Sequence, residues 1–115
     1  MTKIRTFKTG ATRNTEEGKL DFEAYFSPAV LERRAQYMKK HTIQSDGKSR
    51  SGDNWQHLFG DEHYNVCMKS ALRHLHHWWT AHRTNPKPGE DIEEAICALM
   101  FNAEAYLFKL LQEKK

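Results

Sequence analysis

Long apolar runs are missing from this chain of 115 residues, and none approaches the ~18 residues that a membrane span requires. Its start, MTKIRTFKTG, lacks the apolar core of a signal peptide, so the expectation is a soluble, cytoplasmic protein. Cysteine is scarce as well. Cys67 and Cys97 each fall inside an apolar helical pattern, which suits reduced thiols acting as small hydrophobes in an intracellular setting. Period-two alternation, internal repeats and low-complexity tracts are absent, which leaves no sequence signal for a sheet. Gly18-Lys19 lacks the G-x-x-x-x-G-K-[ST] spacing and follows no strand, so a P-loop is excluded. Catalytic triads and flavin or nicotinamide fingerprints are also wanting. Finally, 38% hydrophobic residues is low for a globular domain. A chain this size buries only about two-thirds of its unfolded surface, so self-association is expected to make up the difference.

What is present is unevenly distributed. The net charge is only +3, but residues 1–50 carry eleven basic and six acidic side chains, whereas 51–115 carry seven and nine. A basic first half suits phosphate and an acidic second half suits cations. Lys and Arg form no continuous stripe along any helix, which argues against a nucleic-acid partner.

One domain is expected over 1–115, beginning with an extended arm over 1–26 punctuated by Gly10, Asn14 and Gly18. Ser27-Pro28 reads as a helix start, with a helix over about 28–40 whose apolar positions Leu31, Ala35 and Met38, beside Val30 and Tyr37, form an inward face. Residues 41–60 are too polar and too rich in Gly and Ser for regular structure, and a loop of that length is usually functional or disordered. Tyr64, Met68, Ala71, Leu75 and Trp78 alternate spacings of four and three, predicting a second helix over about 61–82 that Pro86 and Pro88 end. The third helix, about 90–113, opens on Glu90, Asp91, Glu93 and Glu94 and is apolar almost all round from Ala95 to Ala103. The fold class is all-α: a small helical bundle with an extended arm, completed by oligomerisation.

Several groups invite a chemical reading. His74 lies at the border of the second helix's apolar stripe, near Ser70 and His77. With Arg73 it reads either as a phosphate or base contact able to move a proton near neutral pH, or as a core-edge histidine bonded to a carbonyl. Only His74 and His77 have a helical ligand spacing, and no third zinc ligand accompanies them. Asp91, Ala95, Ala98, Asn102 and Ala105 form one row of mostly small residues. Asn102 on such a row needs a partner, either a ligand or another helix. Glu94 and Asp91 read as a cation-binding pair or as acids that merely stabilise their helix N-terminus. In the loop, Asp53, Asn54 and Trp55 offer a carboxylate, an amide and an indole, which also suit a turn and a core cover. Arg13 and Lys19 supply two cations in the arm.

Taken in order, Thr9-Gly10-Ala11-x-Arg13, Gly18-Lys19, Leu20-Asp21-Phe22-Glu23, Ser27-Pro28, Asp53-Asn54-Trp55, Lys69-Ser70-Ala71-Leu72-Arg73-His74 and Phe101-Asn102 resemble a phage-borne family. That family is the dATP/dGTP diphosphohydrolase N-terminal-like proteins, related to the MazG-type all-α nucleoside triphosphate pyrophosphatases. The resemblance implies Mg²⁺- or Mn²⁺-dependent cleavage of a purine deoxynucleoside triphosphate to monophosphate and pyrophosphate, in a homo-oligomer in the host cytoplasm. MazG-type enzymes grip metal with E-x-x-E followed by E-x-x-D on the next helix. Glu90-x-x-Glu93 matches the first half, but Leu107 stands three residues after Glu104 and no second half follows. The resemblance therefore places metal on Glu32, Asp53 and Glu94, catalysis on His74 and Glu94, and substrate on Arg13, Lys19, Asn54, Trp55, Lys69, Arg73 and Asn102. Because the E-x-x-D is missing, a nucleotide-binding protein without hydrolysis, scavenging a signalling nucleotide, is the first alternative, and a small helical nucleic-acid-binding protein the second.

Overall fold

A computed structural model of the chain describes residues 3–15, 18–43, 47–50, 54, 60–85, 87 and 89–114. The fold is mostly helical, and its contacts separate into two units, Met1–Leu31 and Glu32–Lys115.

In the first unit the expected extended arm is a small hairpin. Strands β1 (Ile4–Thr6) and β2 (Thr12–Asn14) pair antiparallel with Arg5 opposite Arg13. Gly10, at φ +90°, closes the turn by donating its N–H to Phe7 O at 2.9 Å, and Phe7 N donates back across it to Ala11 O at 2.8 Å. Strands of three residues are too short to display an alternation, which is why the sequence shows punctuation but no sheet. A single helical turn, α1 (Phe22–Tyr25), follows, its N-terminus capped by Asp21 Oδ1, which accepts from Ala24 N at 2.9 Å.

Helix α2 (Pro28–Lys40) starts where Ser27-Pro28 predicts, with Ser27 Oγ accepting from Val30 N at 3.2 Å. Its inward face differs from the apolar one expected. Leu31 and Ala35 are exposed, whereas Arg33, Arg34, Tyr37 and Met38 are half-buried. The reason lies in the flank of the last helix, α4 (Glu90–Glu113), which presents Glu93, Glu94 and Glu104. Arg33 Nε donates to Glu93 at 2.7 Å, Arg34 Nη2 to Glu104 at 2.9 Å and Lys40 Nζ to Glu94 at 2.8 Å. Charge pairing, not burial of leucine, selects the face.

Helix α3 (His63–Thr84) follows a 3-10 turn at Gly60–Glu62 and packs along α4 as an antiparallel helical hairpin. At the tip, Asn85 Oδ1 accepts from Lys87 N at 3.1 Å. In the interior, Cys67, Ile92, Ala95, Cys97, Ala98 and Ala105 are buried, together with the polar His63 and Asn102. Both cysteines are free thiols in this core, as their apolar settings predict. The row of small residues read from the sequence is the reason the helices lie so close. Ala105, with no exposed surface, lets His63 approach until its Nε2 donates to Ala105 O at 2.8 Å. In the long loop, the described residues hold one antiparallel bridge, Ile43 with Ser49.

Candidate functional site

The C-terminal end of α2 meets the middle of α3 and the start of α4 around an open hollow of about 380 Å³. Helix α2 contributes Tyr37 and Lys40, with His41 just beyond it; α3 contributes His74 and His77, one turn apart. Helix α4 contributes Asp91 and Glu94, and the small side chains of Ala95 and Ala98 form its floor. Three imidazoles, an ammonium and a phenol therefore face two carboxylates.

Each group is tuned by what surrounds it. Burial, reinforced by the positive neighbours Arg73, His77 and His41, holds the His74 imidazole below its ordinary pKa of 6.5, so it stays neutral at pH 7. The hydrogen bond from Lys40 holds the Glu94 carboxyl below its usual value, against the opposing effect of its own burial, and Arg33 Nη2 at 3.8 Å adds to the effect. The bond to Glu94 raises the Lys40 pKa in turn. Tyr37 is pushed up chiefly by burial and then by the Glu94 charge, so its hydroxyl stays protonated and remains a donor. The Tyr37 ring lies 4.3 Å from the His41 ring, which positions that imidazole over the hollow's edge. Glu94 Oε2 is shielded from solvent yet accepts no hydrogen bond among the described residues. A buried carboxylate oxygen without a donor is costly.

Of the residues named from sequence, His74 and Glu94 come together here, with His77 and Asp91, the partners the sequence offered them. The residues expected to hold substrate, and the other expected metal ligands, do not join them. Lys69 and Arg73 are exposed on α3 and do not line the hollow. Arg13 on β2 and Lys19 beyond it are exposed residues of the first unit. Asn54 is exposed, and Asp53 and Trp55 lie outside the described residues. Asn102 donates its Nδ2–H to Ala98 O on its own helix at 2.8 Å. It lines a different, almost wholly apolar hollow of about 330 Å³, and the hydrogen bond seen for its amide runs to the carbonyl one turn back on its own helix. Sequence reasoning passed over Tyr37, Lys40 and His41, although Tyr37 and His41 stand four residues apart, the spacing that stacks side chains on one helical face.

The implied metal finds a poor donor set. Glu32 is exposed, and one oxygen of Glu94 is held by Lys40 and Arg33. Among the described residues no three His, Cys, Asp or Glu are grouped so as to hold an ion. Compared with known protein families, curated proteins and solved structures, the chain matches none. No helix among the described residues is long and apolar enough to cross a membrane.

Proposed function

We propose that the hollow between α2, α3 and α4 binds a nucleotide, and that binding rather than metal-assisted hydrolysis is the function of this chain. The observation that carries this reading is the convergence of Lys40, His41, His74 and His77 opposite Asp91 and Glu94 around a space of about 380 Å³, the size class of small-ligand pockets. A nucleotide has two ends of different chemistry. Its phosphates suit the ammonium, the Tyr37 hydroxyl and the imidazole N–H groups. Its sugar hydroxyls or base amine suit the carboxylates of Asp91 and Glu94. The family resemblance favours a purine deoxynucleotide as the ligand. No step through a metal follows from the described donors.

One observation favours hydrolysis as a second reading. His74, held neutral in the hollow that Glu94 also lines, has the protonation state of a general base for a water molecule.

Calorimetric titration of the purified chain with dATP, dGTP and their nucleosides, with and without Mg²⁺, tests both readings. The nucleotides should bind and the nucleosides should not, and His41→Ala with His77→Ala should weaken binding at least about tenfold. Ligand recovered intact after denaturation supports binding alone, whereas monophosphate plus pyrophosphate supports hydrolysis. Lack of any nucleotide binding at millimolar concentration overturns both.

A further inference from the structure

Lys69 and Arg73, expected to hold substrate, stand outside the hollow, and their own helix gives them different company. Helix α3 runs for 22 residues without an aspartate or a glutamate. Along it Lys69, Arg73, His76, Thr80 and Arg83 follow one another at spacings of four, three, four and three. That spacing keeps them on one face of the helix over about 21 Å. Lys and Arg alone leave the row broken at His76 and Thr80, which is why it does not read as a basic stripe in the sequence. Helical rotation puts the row opposite the buried Cys67 and the half-buried Trp78, and every member of it is exposed. Its charges lack counter-charges. Lys69, Arg73 and Arg83 form no ion pair among the described residues, whereas Arg33, Arg34 and Lys40 of α2 are held by Glu93, Glu104 and Glu94. Beside the row stands Trp79, which keeps 56% of its surface exposed. Arg83 Cζ lies 5.9 Å from the centre of the Trp79 ring, and the His76 ring stands nearly perpendicular to it at 6.4 Å.

We infer that this face of α3 binds single-stranded nucleic acid, with Lys69, Arg73 and Arg83 on backbone phosphates and Trp79 stacked on a base. The site is separate from the hollow and does not depend on what the hollow binds. Charge complementarity calls for a polyanion, because a helix face of three cations with no acid on its own helix attracts a chain of regularly spaced negative charges. The indole then selects among polyanions. A single strand brings unpaired bases whose flat faces stack on an exposed aromatic ring, and a cationic track with such a ring is the recurring means of holding single strands without regard to sequence. A duplex keeps its bases stacked on one another, and an acidic peptide brings charge without a base to stack. His76 adds a ring N–H donor within the row.

Fluorescence anisotropy of labelled oligo(dT), about 20 nucleotides long, titrated with the full chain at about 50 mM NaCl is the test. The dissociation constant should be about 100 μM or lower, and log K should fall against log[NaCl] with a slope of about −2, as three phosphate contacts on a single strand require. Lys69→Glu with Arg73→Glu should weaken binding at least about tenfold while the helical circular dichroism persists, and Trp79→Ala should weaken it at least about fivefold. Where the double glutamate variant does not fold, Lys69→Gln and Arg73→Gln should each reduce the salt slope by about 0.7. His41→Ala, which alters the hollow, should leave oligonucleotide affinity within about twofold of the wild type. Absence of binding at about 200 μM protein overturns the inference, as does binding that the substitutions at Lys69, Arg73 and Trp79 leave unchanged. Tighter binding to duplex DNA, to polyglutamate or to phosphatidylserine vesicles than to oligo(dT) overturns it as well, and assigns the face to that other partner.

Discussion

Lys40 Nζ stands 2.8 Å from Glu94 Oε1, and through this contact the last turn of α2 fixes one oxygen of the carboxylate that lines the hollow while the other finds no donor among the described residues. The pair is asymmetric in exposure, Lys40 at 63% and Glu94 at 23%, so solvent screens its contribution to stability while the hydrogen bond still sets the acidity of Glu94. Lys40→Met should therefore raise the Glu94 pKa, measured by carbon-detected NMR titration of the side-chain carboxyl. The folded value is depressed below the ordinary 4.5. The stabilisation it brings is then present above the unfolded pKa and is lost as pH falls through the depressed folded one. Urea midpoints between about pH 5 and pH 3 should fall less steeply in Lys40→Met than in the wild type. Superimposable pH profiles would show that the contact does not govern Glu94.

His74 has the opposite chemistry and a different window. Its folded pKa lies below 6.5, so between that folded value and 6.5 the unfolded chain binds more protons than the folded one. Stability consequently rises with pH across this window and falls as the solution is acidified through it. His74→Gln should flatten that part of the profile. Added dATP should move the His74 resonance to a higher pKa, because a phosphate beside the imidazole favours its charged form. A His74 titration indifferent to nucleotide would place the ligand elsewhere.

Helical periodicity and capping chemistry made the three long helices legible, and Ser27-Pro28, Asn85-Pro86 and Glu90 mark their ends within two residues of where they fall. Local signals of this kind act within one turn and do not depend on partners. The inward face of α2 was not legible, because Arg33 and Arg34 turn inward only once Glu93 and Glu104 are opposite them, sixty and seventy residues away. His74 and Glu94 emerged from position on their own helices, while Lys40 and His41 did not, since a polar helix end looks like solvent-facing chain until another helix is laid against it. Asn102 shows the reverse limit. Its burial was visible from the row of alanines, but its bond to Ala98 O is internal to the helix, which burial alone did not reveal.

Asn102→Ala should therefore act on stability and not on ligand. The substitution removes a buried side chain and its hydrogen bond to Ala98 O, a loss of about 1–2 kcal/mol in urea unfolding. Nucleotide affinity should stay within about twofold of the wild type, since Asn102 lines the other hollow. Loss of binding without loss of stability would restore it to the ligand site.

His63 offers the most severe test of the core. It has no exposed surface, donates to Ala105 O at 2.8 Å and lies with Nε2 3.7 Å from Cys67 Sγ. His63→Ala would open a cavity at the first turn of α3 and remove that bond, costing about 2–4 kcal/mol, a large part of the stability of a domain this small. Filling the space from the other side should fail as well. Ala105→Leu forces extra methylenes between two helices already in contact and should cost about 1–3 kcal/mol. Chemical denaturation followed by circular dichroism at 222 nm checks both. A mild His63→Ala together with a severe Ala105→Leu would mean that close helix approach through alanine, rather than the buried imidazole, holds the hairpin together.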